Sequence, residues 1–414
     1  MNNKNKLDNI KSNLFSEKDN QNSKNNDILY LKKKKKRIPK LFKTEKIKEN
    51  KKSINNQIEK EKKEINFEDD FISNPKNIQI FKDLKVDDAY NIELLDNTFC
   101  VFKSITEILY LIYANRKNSI ICYNLINDQI INEIKNPHDN QEIINFRYFL
   151  DKNNKRDLII SVSSENNNIK LWDINGWVCL QNFKDIYEDI YIGSACFLLN
   201  NNQIFIISSG FDPLDFLYEP IKIYNLEGNI VNEIMVENMI YFVDIYYDKN
   251  LSKIFIIVGD EIGAVSYDYN DGKAKIFKEY YEEGFIEGCK SIIINDKEKI
   301  IKLIASTYLG YIKIWDFHSG ELLNLIEAND TQLYGISLWD NKHLFVSCED
   351  NESEIKKIKL IDLNTGKIKK ILSSYNGLIL TIKKLNHPKY GECLITQCWG
   401  GNSIQLIINK NKSF

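Results

Sequence analysis

An all-β fold made by repeating one unit is predicted by three features of this sequence. A short motif recurs seven times, strand-like segments flank it in every copy, and the last copy is one strand short. The clearest copy is "YIKIWDFHSGELLNLIEA" (311–328): an alternating strand, the pair Trp315-Asp316, a Ser-Gly turn and a second alternating strand. "NIKLWDINGWVCLQNF" (168–183) repeats it around Trp172-Asp173. The two tryptophans lie 143 residues apart, three steps of about 48. The steps between and beyond them are filled by Tyr123 (in 119–134), Tyr224 (220–234), Tyr267 (263–277), Ile361 (357–372) and Ile407 (403–410). Successive spacings are 49, 52, 43, 48, 46 and 46 residues, and self-similarity at such a period marks a repeat architecture.

Each copy carries two further strands upstream. In the fifth they are "CKSIIIND" and "IIKLIASTYLG", in the sixth "LYGISLWD" and "HLFVSCED", in the second "INFRYFL" and "DLIISVSSE". Four short strands joined by polar turns make one antiparallel sheet. Such a sheet cannot cover both of its own faces, but seven set side by side around an axis can, each covering the next. The prediction over residues 77–410 is therefore a seven-bladed β-propeller. The last copy supplies three strands before the chain ends, so its outer strand must come from the other end of the ring. "NIQIFKDL" (77–84) is the candidate and "YNIEL" (90–94) the alternative. Closure of this kind removes exposed sheet edges, which otherwise invite aggregation.

These copies resemble WD40 repeats, and the resemblance covers the whole of the predicted propeller. The Trp-Asp dipeptide stands in full at Trp172-Asp173 and Trp315-Asp316. Tyr267-Asp268 and Ile361-Asp362 keep the Asp, while Tyr123-Asn124 and Tyr224-Asn225 keep an aromatic and an amide. The Gly-His dipeptide of the family is absent. The family's turn Asp, six residues before the Trp, is Asn166 in the second copy and Leu309 in the fifth. The resemblance therefore implies the propeller fold with a broken His/Asp/Ser/Trp hydrogen-bond network. The alternating burial carries the fold at ~25 cal/mol per Å², and a lost network subtracts a few kcal/mol at most.

The charge is divided. The 414-residue chain has a formal net charge of −2, but residues 1–64 hold 20 Lys/Arg against 9 Asp/Glu, leaving 36 against 49 in the rest. Residues 1–70 are rich in Asn, Lys and Glu with few aromatics, a composition that cannot bury enough apolar surface to order itself. They read as a disordered basic arm. Its block Lys32, Lys33, Lys34, Lys35, Lys36 and Arg37 suits a nuclear-import signal or a grip on phosphates or anionic lipid, or reflects a Lys/Asn/Ile-rich composition alone. Ile47, Ile54, Ile58 and Ile65 follow heptad spacing, but Lys51 and Glu61 interrupt the seam, so a short frayed helix is the most this allows. No apolar h-region opens the chain and no uncharged run approaches the ~18 residues of a membrane span. The eight cysteines form no C-x-x-C pair and read as small buried hydrophobes in a reducing compartment, cytoplasmic or nuclear.

No catalytic or metal constellation is readable. His138, His318, His343 and His387 stand beside polar turn residues, and no H-E-x-x-H, G-x-S-x-G or P-loop pattern occurs. The expectation is a non-enzymatic scaffold that binds protein partners or peptides on propeller faces, with no cofactor and no metal. Two features fall where WD40-like propellers bind peptides. The insertion "GFDPLDFLYE" (210–219) sets Phe211, Phe216 and Tyr218 beside Asp212, Asp215 and Glu219, suited to gripping a basic peptide or to packing on its own blade. Trp399, followed by Gly400 and Gly401, is placed near the central opening. Trp339 and Trp177, in turns, read as possible exposed handles. Two alternatives compete: a ubiquitin-ligase-type substrate receptor, although no Leu-Pro helix of the F-box kind is readable in 1–70, and nucleic-acid or anionic-membrane tethering through the arm. The acidic body argues against a broad nucleic-acid face, and the Phe-Arg-Arg-Gly motif of phosphoinositide-binding propellers is missing.

Overall fold

Twenty-eight strands account for the regular structure of the computed structural model, which describes residues 78–85 and 99–409 except 116–117, 164–167, 185, 188–190, 212–218, 261–262, 278–288, 350–355, 376–377 and 400–402. No helix occurs among the described residues, hence none able to cross a membrane. The basic arm, with its Lys block and the frayed helix expected at 47–65, lies outside the described residues.

The strands run in chain order. First comes β1 (Ile78–Lys85). Sheet 1 is β2 (Phe99–Lys103), β3 (Leu109–Ala114), β4 (Ile120–Asn124) and β5 (Gln129–Ile134). Sheet 2 is β6 (Ile143–Asp151), β7 (Arg156–Ser163), β8 (Asn168–Asp173) and β9 (Val178–Phe183). Sheet 3 is β10 (Tyr191–Asn200), β11 (Gln203–Phe211), β12 (Ile221–Asn225) and β13 (Ile230–Ile234). Sheet 4 is β14 (Ile240–Asp248), β15 (Lys253–Asp260), β16 (Ala264–Asp268) and β17 (Ala274–Phe277). Sheet 5 is β18 (Cys289–Asn295), β19 (Lys302–Thr307), β20 (Tyr311–Asp316) and β21 (Leu322–Glu327). Sheet 6 is β22 (Leu333–Leu338), β23 (His343–Glu349), β24 (Lys356–Asp362) and β25 (Ile368–Tyr375). Sheet 7 is β26 (Leu378–His387), β27 (Gly391–Trp399) and β28 (Ser403–Asn409), with β1 as its fourth strand.

Seven four-stranded antiparallel meanders therefore form a seven-bladed β-propeller. The first strand of each sheet touches the first strands of its neighbours, so these seven strands are innermost, and the contact of β2 with β26 completes the circle. β1 pairs antiparallel with β28, from Ile78↔Asn409 to Lys85↔Ser403 with one bulge near Ile80. It takes the place that the sequence reserves for 77–84.

Burial explains the arrangement. The main apolar clusters each join two adjacent sheets rather than lying within one. Leu111 and Tyr123 of sheet 1 pack with Ile395 and Leu406 of sheet 7. Phe146 and Trp172 of sheet 2 pack with Ile112 and Cys122 of sheet 1. The same holds for sheets 2–3, 3–4, 4–5, 5–6 and 6–7. All seven residues at the Trp position of the repeat are buried, Trp172, Trp315, Tyr123, Tyr224, Tyr267, Ile361 and Ile407 alike. What the position requires is bulk between blades.

The residue after it has a separate task. Asp316 Oδ1 accepts hydrogen bonds from the amides of His318 and Ser319 at 2.8 and 2.9 Å. Asp362 does so from Asn364 and Thr365, Asn124 from Ile126 and Asn127, Asp173 from Asn175, and Asp268 from Asn270. Each is an Asx turn that caps the hairpin between third and fourth strands. Asp and Asn both serve, which is why the first six copies exchange them freely; the seventh has Ile408 there.

Polar pins cross between blades. The fully buried Asp157 carboxylate of sheet 2 accepts from the Ile105 amide of sheet 1 at 3.0 and 3.1 Å and from Tyr148 Oη at 2.8 Å. His387 Nε2 of sheet 7 lies 3.2 Å from the Leu125 carbonyl of sheet 1, a second tie at the closure. Because β1 completes the last sheet, a 97–414 fragment should melt at least ~5 °C below a 70–414 fragment, as expected for loss of a few kcal/mol. Equal melting curves by circular dichroism would show that β1 does not contribute.

Candidate functional site

The interior of the blades departs from one expectation. The family-type hydrogen-bond network is not broken in sheet 2. Trp172 Nε1 donates to Ser161 Oγ at 2.9 Å, and Ser161 Oγ lies 2.7 Å from His138 Nε2. His138 Nδ1 is in turn hydrogen-bonded to Asn168 Oδ1. Asn168 Oδ1 only accepts, so His138 Nδ1 donates to it; the neutral imidazole then accepts at Nε2 from Ser161, whose oxygen accepts from Trp172. Pro137-His138 stands where the WD40 resemblance looks for Gly-His, and the histidine's partner is Asn168, while Asn166 lies outside the described residues. His138, in the turn that leads into β6, is fully buried.

In sheet 3 the same place is filled by Tyr187. Its hydroxyl donates to the Ser208 carbonyl at 2.8 Å and lies 3.0 Å from Ser208 Oγ. Ser208 holds the register of Ser161, since each pairs with the lysine two residues before the Trp position. In sheet 5 that register, opposite Lys313, belongs to Ala305. Trp315 Nε1 is accordingly buried without a hydrogen-bond partner. The lysine itself recurs: Lys170 Nζ donates to the Pro137 carbonyl, Lys222 Nζ to Ile186 at 3.0 Å and Lys359 Nζ to Ala328 at 2.7 Å. Each ties the segment that enters a sheet to that sheet's third strand.

At the centre, register identifies one layer of residues. Arg147 pairs with Ile160, which pairs with Leu171 beside Trp172. The equivalents on the other innermost strands are Cys100, Cys196, Asp244, Ile293, Ser337 and Lys383. Arg147 reaches from sheet 2 past sheet 3 to sheet 4. Its Nη2 donates to the Val243 carbonyl at 3.1 Å, its Nε to the Ala195 carbonyl at 3.4 Å, and the guanidinium carbon lies 5.5 Å from the Phe242 ring centroid. Beside it lies a cavity of about 330 Å³, lined by Arg147, Asp244, Asp296 and Lys383 among Phe242, Tyr246 and a group of isoleucines.

The residues singled out from sequence are dispersed over the ring. Phe211 is the last residue of β11 and Trp399 the last of β27, but neither side chain is among those described. Asp212, Asp215, Phe216 and Tyr218 lie outside the described residues, in the connection from β11 to β12. Trp339 is not an exposed handle. It is buried between sheets 6 and 7, edge-on to Phe345 at 5.6 Å, with Lys384 Nζ 4.3 Å from its ring centroid. Trp177 is partly buried against the cluster of sheets 1 and 2, and its φ of 54° fills the left-handed turn position that Gly320 and Gly366 fill in sheets 5 and 6. Among the described residues no three His, Cys, Asp or Glu side chains converge as metal ligands would, and none of the eight cysteines forms a disulfide. No protein-family model matches the chain, and no curated protein matches it.

Burial pushes the His138 pKa down from 6.5 to about 4 against the pull of its Asn168 bond. A folded-state pKa below the unfolded one means stability that is full above pH ~6.5 and is lost as the pH falls toward ~4, by roughly 3 kcal/mol. Urea unfolding should show that loss in the wild type and a flatter acid limb in His138→Asn. Ser161→Ala, which strands two buried partners, should cost about 1–3 kcal/mol at pH 7. Ala305→Ser should return about 1 kcal/mol by giving Trp315 Nε1 an acceptor.

Proposed function

We propose that this protein is a non-enzymatic interaction scaffold of the WD40-repeat kind, acting in the cytoplasm or nucleus and holding protein partners on the faces of its propeller. The observation that carries this reading is the ring of seven mutually buried sheets closed by β1. A ring of that kind fixes the strand ends from which its connections leave, so a partner would meet a largely preformed framework and lose little ordering entropy on binding. The Trp-Asp, Tyr-Asn and Ile-Asp forms of the repeat support the family, and the absence of disulfides among eight cysteines supports a reducing compartment.

The partner contact proposed first is the connection between β11 and β12, where Phe211, Phe216 and Tyr218 would supply apolar anchors. Asp212 and Asp215 would attract a basic peptide. Trp399 would contribute at the end of β27. The basic arm would serve a different partner or address.

The test is affinity purification with the 70–414 body beside the full chain, followed by the triple change Asp212→Ala, Asp215→Ala and Phe216→Ala. The body should retain a specific set of partners. The triple variant should lose at least one of them, about tenfold or more in recovered amount, with its melting temperature unchanged. Retention of every partner by the variant would exclude this loop as the contact. Partners found only with the full chain would assign binding to the arm.

A further inference from the structure

We propose that the central cavity binds a small zwitterion with an apolar body, of the free amino acid class, with Arg147 taking the carboxylate and Asp244 the ammonium. This does not depend on the scaffold reading.

The cavity, about 330 Å³, falls in the range of small-molecule sites and has their usual make-up: apolar walls with a few convergent polar groups. Its charges are balanced. Arg147 and Lys383 face the same space as Asp244 and Asp296. A lone anion entering it would meet two carboxylates, and a lone cation would meet two basic groups. A ligand carrying one charge of each sign is opposed by neither.

Arg147 and Asp244 are both partly buried, and among the described residues neither makes an ion pair with the other or with a third side chain. Two of the guanidinium N–H groups are spent on the carbonyls of Ala195 and Val243. Those bonds and the Phe242 ring fix the plane of the group while leaving further donors for a bidentate carboxylate. Asp244 Oδ1 accepts from the Ile245 amide at 2.8 Å, which orients the carboxylate and leaves its other oxygen for an ammonium donor. Charges of opposite sign, held apart in one partly desolvated space, gain most from a dipolar guest that bridges them. The isoleucine wall at Ile292, Ile293 and Ile336 would cover its apolar part.

The test is isothermal titration of the full-length protein with L-leucine and L-phenylalanine, which share the close charge spacing of an α-amino acid, and with ε-aminocaproate, whose two charges lie further apart. Hydrocinnamate and phenethylamine, each with one charge only, are the controls. At least one zwitterion should bind, and at least ~10-fold more tightly than either control. Asp244→Asn keeps the acceptor for the Ile245 amide, so its melting temperature without ligand should match the wild type. In that variant the zwitterion should lose at least ~10-fold in affinity and bind no better than hydrocinnamate. Absence of binding by all three zwitterions up to ~10 mM would overturn the proposal. So would a zwitterion that binds Asp244→Asn as well as it binds the wild type.

Discussion

A four-stranded antiparallel sheet with two apolar faces is unstable in water until something covers both, and in this protein the cover is always the next sheet. The apolar clusters sit at the boundaries between neighbouring blades, including the boundary between the last and the first. Each sheet is therefore half of two cores. Removing one leaves two raw faces, so the ring is stable as a whole rather than blade by blade. The same constraint explains the reach of β1 across the chain: without it β28 would be an edge strand, and the seventh sheet would be one strand narrower than the faces it covers.

Polar groups inside the ring adjust this frame without creating it. Sheet 2 has a full Trp172–Ser161–His138–Asn168 chain, sheet 3 replaces the histidine with Tyr187, and sheet 5 has Ala305 where the serine would be. All three blades keep the same four-strand topology. A network worth a few kcal/mol can drift, since burial of the bulky residue at the Trp position stabilises the blade more than the network does. The central layer shows the opposite freedom. Cys100, Arg147, Cys196, Asp244, Ile293, Ser337 and Lys383 share one register, yet no two neighbours in the ring match in chemistry. Four of them, Arg147, Asp244, Ile293 and Lys383, line the cavity, where a side chain is not forced to fill an apolar core and the position can carry charge.

The period of the Trp positions and the alternation around them make the architecture legible, including the strand that closes the ring. Those signals are set by burial, which repeats in every blade. The hydrogen-bond network is misread when it is sought at fixed positions. Asn166 and Leu309 then look like losses, while Asn168 supplies an acceptor and the histidine follows Pro137 rather than Gly. Its one usable signal is spacing, with His138 and Tyr187 both standing well ahead of the Trp position in their copies. Trp339 reads as a surface residue because it follows a strand and precedes Asp340. What buries it is Lys384 and Phe345 from elsewhere in the chain, and no local pattern announces them. The Arg147 cavity is invisible in the sequence for a like reason: it emerges only when seven registers are superposed. The loop at 210–219 is legible in composition alone.

Closure of the ring requires that β28 be flanked on both sides. In a strand with one neighbour only alternate amides are hydrogen-bonded, whereas a strand between two neighbours has every amide engaged. Residue-resolved hydrogen exchange of the intact chain over Ile404–Ile408 reads this directly. Slow exchange at consecutive amides, at rates close to those of β27, is the result that closure predicts. Protection at alternate positions only, with the others exchanging as an open edge does, would contradict it.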